Sequence, residues 1–363
     1  MARQLQSDKI LFAAVVGLVL FGALMVFSAS AVMAADRYNN GDYFLLRQLA
    51  WAGVGLIAVA ILMHMDYRHL ARPLVVFPAL ALEFILLVVV LFLDRSHNTH
   101  RWFHLGMASF QPSELAKIIL VIFLAFFLDL RKGEVNDWKH TLAPIILVAG
   151  VMGLLVLREP DLGTTLALGL ILAAMLFSAG IDLRYFALAG LAAVPALYWL
   201  IFHSTYRHNR VLAFLNPYAD PLGKGFQILQ SYIAVGTGGI TGVGLMEGKQ
   251  KLFFLPEPQT DFIFSVVGEE LGLIGTLAIV AVFALILVRG LRASQACRDD
   301  FGRLLAIGLT VMIVGQALVN MSVVLGLLPT KGIPLPFVSY GGSSLLVNLV
   351  AVGILLNISQ QAS

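Results

Sequence analysis

The stretch DFIFSVVGEELGLIGTLAIVAVFALILVR, residues 261–289, decides the class of fold. Between its terminal Asp261 and Arg289 only Glu269 and Glu270 carry charge. A helix of about 20 apolar residues crosses the hydrocarbon of a bilayer, so the run at 262–288 spans it with residues to spare. Comparable runs lie on both sides, at 10–35, 45–65, 72–93, 111–129, 141–157, 162–180, 185–202, 303–328 and 335–357. Of 363 residues 59% are hydrophobic and 12% charged, where a soluble domain carries about 25% charge. The reading is an all-α polytopic membrane protein with about ten transmembrane helices. It forms one transmembrane domain over residues 1–363, with a large extracytoplasmic loop, 203–260, between helices 7 and 8.

The first run follows Arg3 and Lys9, and Ala29-Ser30-Ala31 looks like a signal-peptide cleavage site. The run is too long for such a peptide, so an uncleaved first helix is expected. With the N-terminus inside, the inner loops carry twelve basic residues: Arg3, Lys9, Arg68, Arg72, Arg131, Lys132, Lys139, Arg184, Arg289, Arg292, Arg298 and Arg303. The short outer loops carry six, namely Arg37, Arg47, Arg95, Arg101, Arg158 and Lys331. This bias places both termini in the cytoplasm and the 203–260 loop outside. The unusual polar segments then share the outer face, where a site should open. The net charge of +3 with no Lys/Arg-rich run excludes a nucleic-acid partner. Cys297, in the charged stretch RASQACRDD, is the single cysteine and reads as an exposed thiol on a reducing side.

Four outer segments carry chemistry. In Gln111-Pro112-Ser113-Glu114-Leu115-Ala116-Lys117, proline suits a first helical turn and Glu114 and Lys117 share a face. Charge at bilayer depth costs about 2.5–3.5 kcal/mol, so the pair reads either as a functional polar interior or as a structural ion pair at the membrane surface. Asp161, in Arg158-Glu159-Pro160-Asp161, reads as a helix cap or a site residue. Asp261, after Pro256-Glu257-Pro258-Gln259-Thr260, stands where water gives way to a helix, again as a cap or as a base whose pKa burial would raise. At least one of Glu269 and Glu270 must face protein. Ser339-Tyr340-Gly341-Gly342-Ser343-Ser344 suits close helix packing or a binding surface equally.

Other patterns fail. The glycine-rich run at 236–244, followed by Lys249 and Lys251, misses the phosphate-loop pattern at Val243 and Gln250, which argues against ATP chemistry. It reads as a mobile loop or a holder of an anionic headgroup. Arg207 and Arg210 suit a diphosphate or a lipid headgroup. His97, His100 and His104 have no cysteine or acid to complete a metal shell. No Ser/His/Asp order supports a triad hydrolase.

Together these residues resemble the SEDS family (shape, elongation, division and sporulation; FtsW, SpoVE and RodA), membrane enzymes that polymerise bacterial peptidoglycan. The matching elements are MVFSAS (25–30), RWFHLG (101–106), FQPSELAK (110–117), EPDLGT (159–164), KLFFLPEPQTDFIFSVVGEELG (251–272) and LPTKGIPLPFVSYGGSSLLVN (328–348). They span nearly the whole chain in order, and KLFFLPEPQTDFIF and SYGGSSLLVN are closer in wording to the FtsW and SpoVE branch than to RodA. The resemblance implies ten helices in the cytoplasmic membrane and lipid II as substrate. It implies Asp261 as the essential catalytic residue, with Glu114, Lys117, Asp161, Glu257, Ser339, Ser343 and Ser344 around one central cavity. Asp261 would take the proton of the acceptor 4-hydroxyl as it attacks C1 of the donor, inverting it. Arg101, Lys117, Arg207 and Arg210 would steady the departing undecaprenyl diphosphate, and this chemistry admits a divalent cation such as Mg beside them. The partners implied are the growing glycan strand, a class B penicillin-binding protein (a transpeptidase) and other proteins of the division or elongation complex. The rivals are a lipid II flippase and a division scaffold. Alternating access needs polar groups along a path, and apart from the outer cluster Glu83 is the chief mid-helix acid. No convincing inverted repeat is present, which favours the enzyme.

Overall fold

A computed structural model describes residues 8–93, 100–105 and 108–362, and the structural statements below concern these. Arg3, Arg95 and His97 lie outside them. The described residues form twelve α-helices, one short hairpin and three short helical turns, at Tyr67–Ala71, Trp138–Leu142 and Pro217–Ala219. α1 (Lys9–Tyr38) starts at Asp8, whose carboxylate accepts from the Leu11 amide, and stops at Asn39 in the left-handed region. α2 (Tyr43–His64) and α3 (Pro73–Leu93) follow. The hairpin pairs β1 (Phe103–Leu105) with β2 (Ala108–Phe110) and delivers the chain to α4 (Pro112–Leu130), with proline in its first turn. α5 (Ala143–Arg158), α6 (Leu162–Ser178) and α7 (Leu183–Phe202) complete the first seven expected spans, and α10 (Ile263–Ala296), α11 (Asp300–Val324) and α12 (Gly342–Ala362) the last three.

All ten expected spans fall on helices. Eight are long and apolar enough to cross a membrane by themselves; α6 is shorter, and α4 carries Glu114, Lys117 and Asp129. The fold is thus a polytopic helical membrane protein. Three details depart from expectation. The 203–260 segment folds in part as α8 (Thr205–Leu215) and α9 (Phe226–Gly238). The last helix begins at Gly342 rather than 335, because Pro334 and Pro336 lack donors and Phe337 takes φ 66°. The helix at 262–288 is interrupted at Gly272 (φ 65°, ψ −157°).

α11, α12 and α4 form the centre, α12 lying along α2, and α11 against α4, α6 and α10. α7 buries none of its residues and packs chiefly on α8. One face collects the start of α1, the end of α12 and basic loops. There Arg289 Nε donates to Asp8 Oδ2 (2.6 Å), the Tyr67 amide to Asn357 Oδ1 (3.0 Å) and Tyr67 Oη to Asp299 Oδ1 (2.5 Å), and Lys132 pairs with Asp300. Cys297 belongs to this network, half-buried with its Sγ 3.5 Å from Tyr67 Oη, and is not the exposed thiol expected. The opposite face holds the hairpin, the α5–α6 turn, Asp261 and the 330–344 segment.

Candidate active site

Asp261 immediately precedes Phe262, and Phe262 occupies the cap position of α10 with no side-chain cap bond, so the aspartate is not spent on capping. Its carboxylate accepts no hydrogen bond from the described residues. The backbone is what places it: Asn320 Nδ2 on α11 donates to Asp261 O (2.9 Å), and Ser339 Oγ donates to Thr260 O (2.5 Å). The Tyr340 amide donates to Gln259 O (2.8 Å). Burial, with the nearby Glu257 carboxylate, pushes the Asp261 carboxyl up to about 7 against the pull of Arg210. Asp161, by contrast, caps α6: its carboxylate accepts from the Thr164 amide (3.0 Å), Thr164 Oγ1 (2.9 Å) and Gln111 Nε2 (3.2 Å).

Asp261 stands in a wall shared by two cavities. The first, about 420 Å³, is lined by Arg47, Trp51, Trp102, Glu114, Lys117, Glu257, Gln316, Tyr340 and Ser344. On its floor Lys117 Nζ donates to Glu114 Oε2 (2.9 Å) and Gln316 Oε1 (2.6 Å), all three side chains being buried. Gln316 in turn donates to Pro334 O (2.9 Å). The second cavity, about 270 Å³, is cationic, lined by Arg207, Arg210 and Lys331 with Leu197 and Ile201 of α7. Arg101, Asp161, Asp261 and Gly332 line both. A third cavity, about 210 Å³ and apolar, runs between α6 and α11 and shares Pro329 and Lys331 with the second. Burial lowers the Lys331 ammonium to about 8 and raises the Glu159 carboxyl behind Asp161 to about 9. Among the described residues no three His, Cys, Asp or Glu side chains converge as a metal shell.

The family model for FtsW, RodA and SpoVE, described as cell cycle protein, matches residues 8–363. The chain belongs to the FtsW/RodA/SpoVE family. It is 46% identical over 356 residues, 97% of this chain and 95% of the relative, to a protein of Geobacter sulfurreducens named probable peptidoglycan glycosyltransferase FtsW. It is 40% identical to stage V sporulation protein E of Bacillus subtilis, covering 99% of this chain and 98% of that one. Among solved structures it resembles a chain from a study of polymerization and crosslinking by a peptidoglycan synthase complex, with TM-score 0.80, 32% identity and 98% of each chain covered. It also resembles the rod shape determining protein RodA of Thermus thermophilus, with TM-score 0.73, 27% identity and 99% and 98% covered.

Most of the expected site residues of this FtsW/RodA/SpoVE member converge: Asp261, Glu114, Lys117, Asp161, Arg101, Glu257 and Ser344 line the first cavity, and Arg207 and Arg210 the second. Ser339 and Ser343 do not line it. Ser339 is bonded to Thr260 and the Leu335 amide; Ser343 Oγ donates to Ser109 O (3.1 Å) and accepts from the Gln111 amide. Both hydroxyls therefore staple the site's walls. Arg101 donates to the carbonyls of Glu159 (2.7 Å) and Pro160 (2.6 Å), holding the turn that presents Asp161. Lys251 is not available to a headgroup, because it is buried against Glu270. The sequence reading missed Lys331, Gln316, Asn320, Arg47, Trp51 and Trp102. Gln316 and Asn320 had a legible signal: two amides one turn apart in an apolar span share a face that must find polar partners.

Proposed function

We propose that this protein is a peptidoglycan glycosyltransferase that polymerises lipid II into β-1,4 glycan strands at the outer face of the cytoplasmic membrane. The observation that carries this is Asp261: a half-buried carboxylate with no capping duty, between a polar cavity and a cationic one. Its pKa near 7 suits general-base work, worth about 10²–10⁴-fold. The acceptor sugar lies in the polar cavity and gives its 4-hydroxyl proton to Asp261 as the oxygen attacks C1 of the donor from the side opposite the leaving group. C1 inverts, and the bond to undecaprenyl diphosphate breaks with its electron pair on the phosphate oxygen. Arg207, Arg210 and Lys331 face that oxygen across the cationic cavity, and the apolar groove between α6 and α11 receives prenyl chain. A divalent cation bound to the diphosphate would add charge there. Both termini face the cytoplasm, the function serves division or cell-shape wall synthesis, and the partner is a class B penicillin-binding protein. The likeness to a chain of a polymerising and crosslinking complex supports that partner.

The test is to incubate the purified protein with lipid II, with and without a candidate transpeptidase, and to follow both glycan ladders on gels and lipid II movement between liposome leaflets. Ladders support the polymerase; leaflet movement without ladders under every partner condition supports the flippase instead.

A further inference from the structure

The glycine-rich segment at 236–248 and the acidic pair Glu269-Glu270 take no part in the cavities above, and the structure joins them. The interruption at Gly272 leaves the carbonyls of Glu269 and Glu270 and the amides of Leu273 and Ile274 without helical partners. Residues 239–244 supply all four. Val243 N donates to Glu269 O (3.0 Å) and Gly244 N to Glu270 O (3.1 Å), while Leu273 N and Ile274 N donate to the carbonyls of Gly239 (3.0 Å) and Ile240 (3.2 Å). Gly242 makes this approach possible, since a Cβ there would collide with the Glu270 backbone.

A buried charge cluster locks the same place. Lys251 Nζ donates to Glu270 Oε1 (2.5 Å) and to Ser28 Oγ of α1 (2.8 Å), and the Ser28 hydroxyl donates to the Glu270 carboxylate (2.7 Å). The Met246 amide donates to Glu270 Oε2 (2.9 Å), and the Lys249 amide to Glu269 Oε1 (2.8 Å). Glu270 is 0%, Ser28 3% and Lys251 7% exposed.

Resting on the reading of Asp261 as the base, we propose that Ser28, Lys251 and Glu270 are positioning residues that hold that base in register with the two cavities. Asp261 follows Lys251 by ten residues and precedes Glu270 by nine, so the ion pair closes this stretch on itself with the aspartate near its middle. One limb is the series of turns at 252–260, in which Leu255 N donates to Gln250 O (2.8 Å) and Thr260 N to Glu257 O (3.2 Å); the other is the half-helix 263–271, which transmits any displacement of Glu270 along its axis to residue 261. Among the described residues the Asp261 carboxylate accepts no hydrogen bond, so its place depends on where these two limbs are pinned. Asn320 and Ser339 pin the near end; Lys251 and Glu270 pin the far end, and Ser28 fastens that end to α1. Such a device acts on the reacting geometry without touching substrate, and a displacement of about 1 Å at a base costs about 10²-fold in rate.

The experiment compares wild type, Ser28→Ala, the double variant Lys251→Met/Glu270→Gln, and Asp261→Asn in lipid II polymerisation, with thermal unfolding in detergent measured alongside. The double variant removes both charges and keeps a hydrogen-bonding side chain at 270, so no buried charge is left unpaired. Expected is a melting temperature close to wild type, kcat lower by about 10²-fold and KM within about twofold, with Ser28→Ala lower by about tenfold in kcat. A double variant that folds and polymerises at the wild-type rate overturns the proposal. Should the pair variant fail to insert, Ser28→Ala decides, and wild-type kcat there overturns it. A fully active Asp261→Asn instead overturns the reading of the base, which separates the two failures.

Discussion

Asp261 and Asp161 are the same residue type at the mouths of two outward-facing helices, and local geometry gives them different work. Asp161 accepts three hydrogen bonds and caps α6. Asp261 stands one residue before the cap of its helix, accepts none from the described residues, and has its pKa lifted to about 7. Sequence left both readings open for each, because an aspartate before a span satisfies either until the cap hydrogen is located. As a base, Asp261 must be ionised, so kcat/KM falls as pH drops below about 7. Lys331 must be charged to meet the diphosphate, so kcat/KM also falls above about 8. A bell-shaped profile between these limbs is expected, and Lys331→Arg, charged at any accessible pH, should extend the alkaline limb while leaving the acid one in place. Gly332 offers a second check. A Cβ there would lie 2.8 Å from Asp261 Oδ2. Gly332→Ala should therefore lower kcat by at least about tenfold by displacing the carboxylate, measured in the same polymerisation assay with melting temperature as control.

At the scale of elements, the helices were legible because bilayer crossing needs long apolar runs, and all ten expected runs fall on helices. Their interruptions were not. The break of α10 at Gly272 depends on a distant segment, 239–244, filling the four vacated backbone positions, and hydropathy carries no record of that pairing. The glycine run at 236–248 was read as a mobile or headgroup-holding loop, and its glycines instead allow backbone to meet backbone. Gly272 itself has φ 65° and ψ −157°, a region nearly closed to other residues. Gly272→Ala should destabilise the protein by about 1–3 kcal/mol or more, read as a lower melting temperature in detergent. In α4 the Glu114–Lys117 pair, open in the sequence between a polar interior and the membrane surface, is buried on the cavity floor, with Lys117 1% exposed. Lys117→Met leaves Glu114 unpaired there and should cost about 3–5 kcal/mol of stability, whereas a surface pair would cost under about 1.

Across the whole molecule, charge separates by face. Asp8, Tyr67, Lys132, Arg289 and Asp299 gather at one end, and the three cavities with Asp261 lie towards the other. The first face is the one proposed above to be cytoplasmic, on the basic bias of its loops. In a Cys297→Ala background, a cysteine placed at the exposed Tyr218 should react with an impermeant thiol reagent in intact spheroplasts, and one placed at Arg298 only after lysis. The cavities and their shared wall were legible only as a list of outer-face residues; that Arg207, Arg210 and Lys331 form a separate cationic chamber required the packing of α7 and α8. The central claim is that the Asp261 carboxylate removes the acceptor's proton. Its most direct measurement is the rate of glycan formation from lipid II by purified wild type and by Asp261→Asn, which keeps the side chain's size and removes its basicity. A loss of about 10²–10⁴-fold with unchanged melting temperature is the predicted result. Ladders of equal length formed at an equal rate would contradict it.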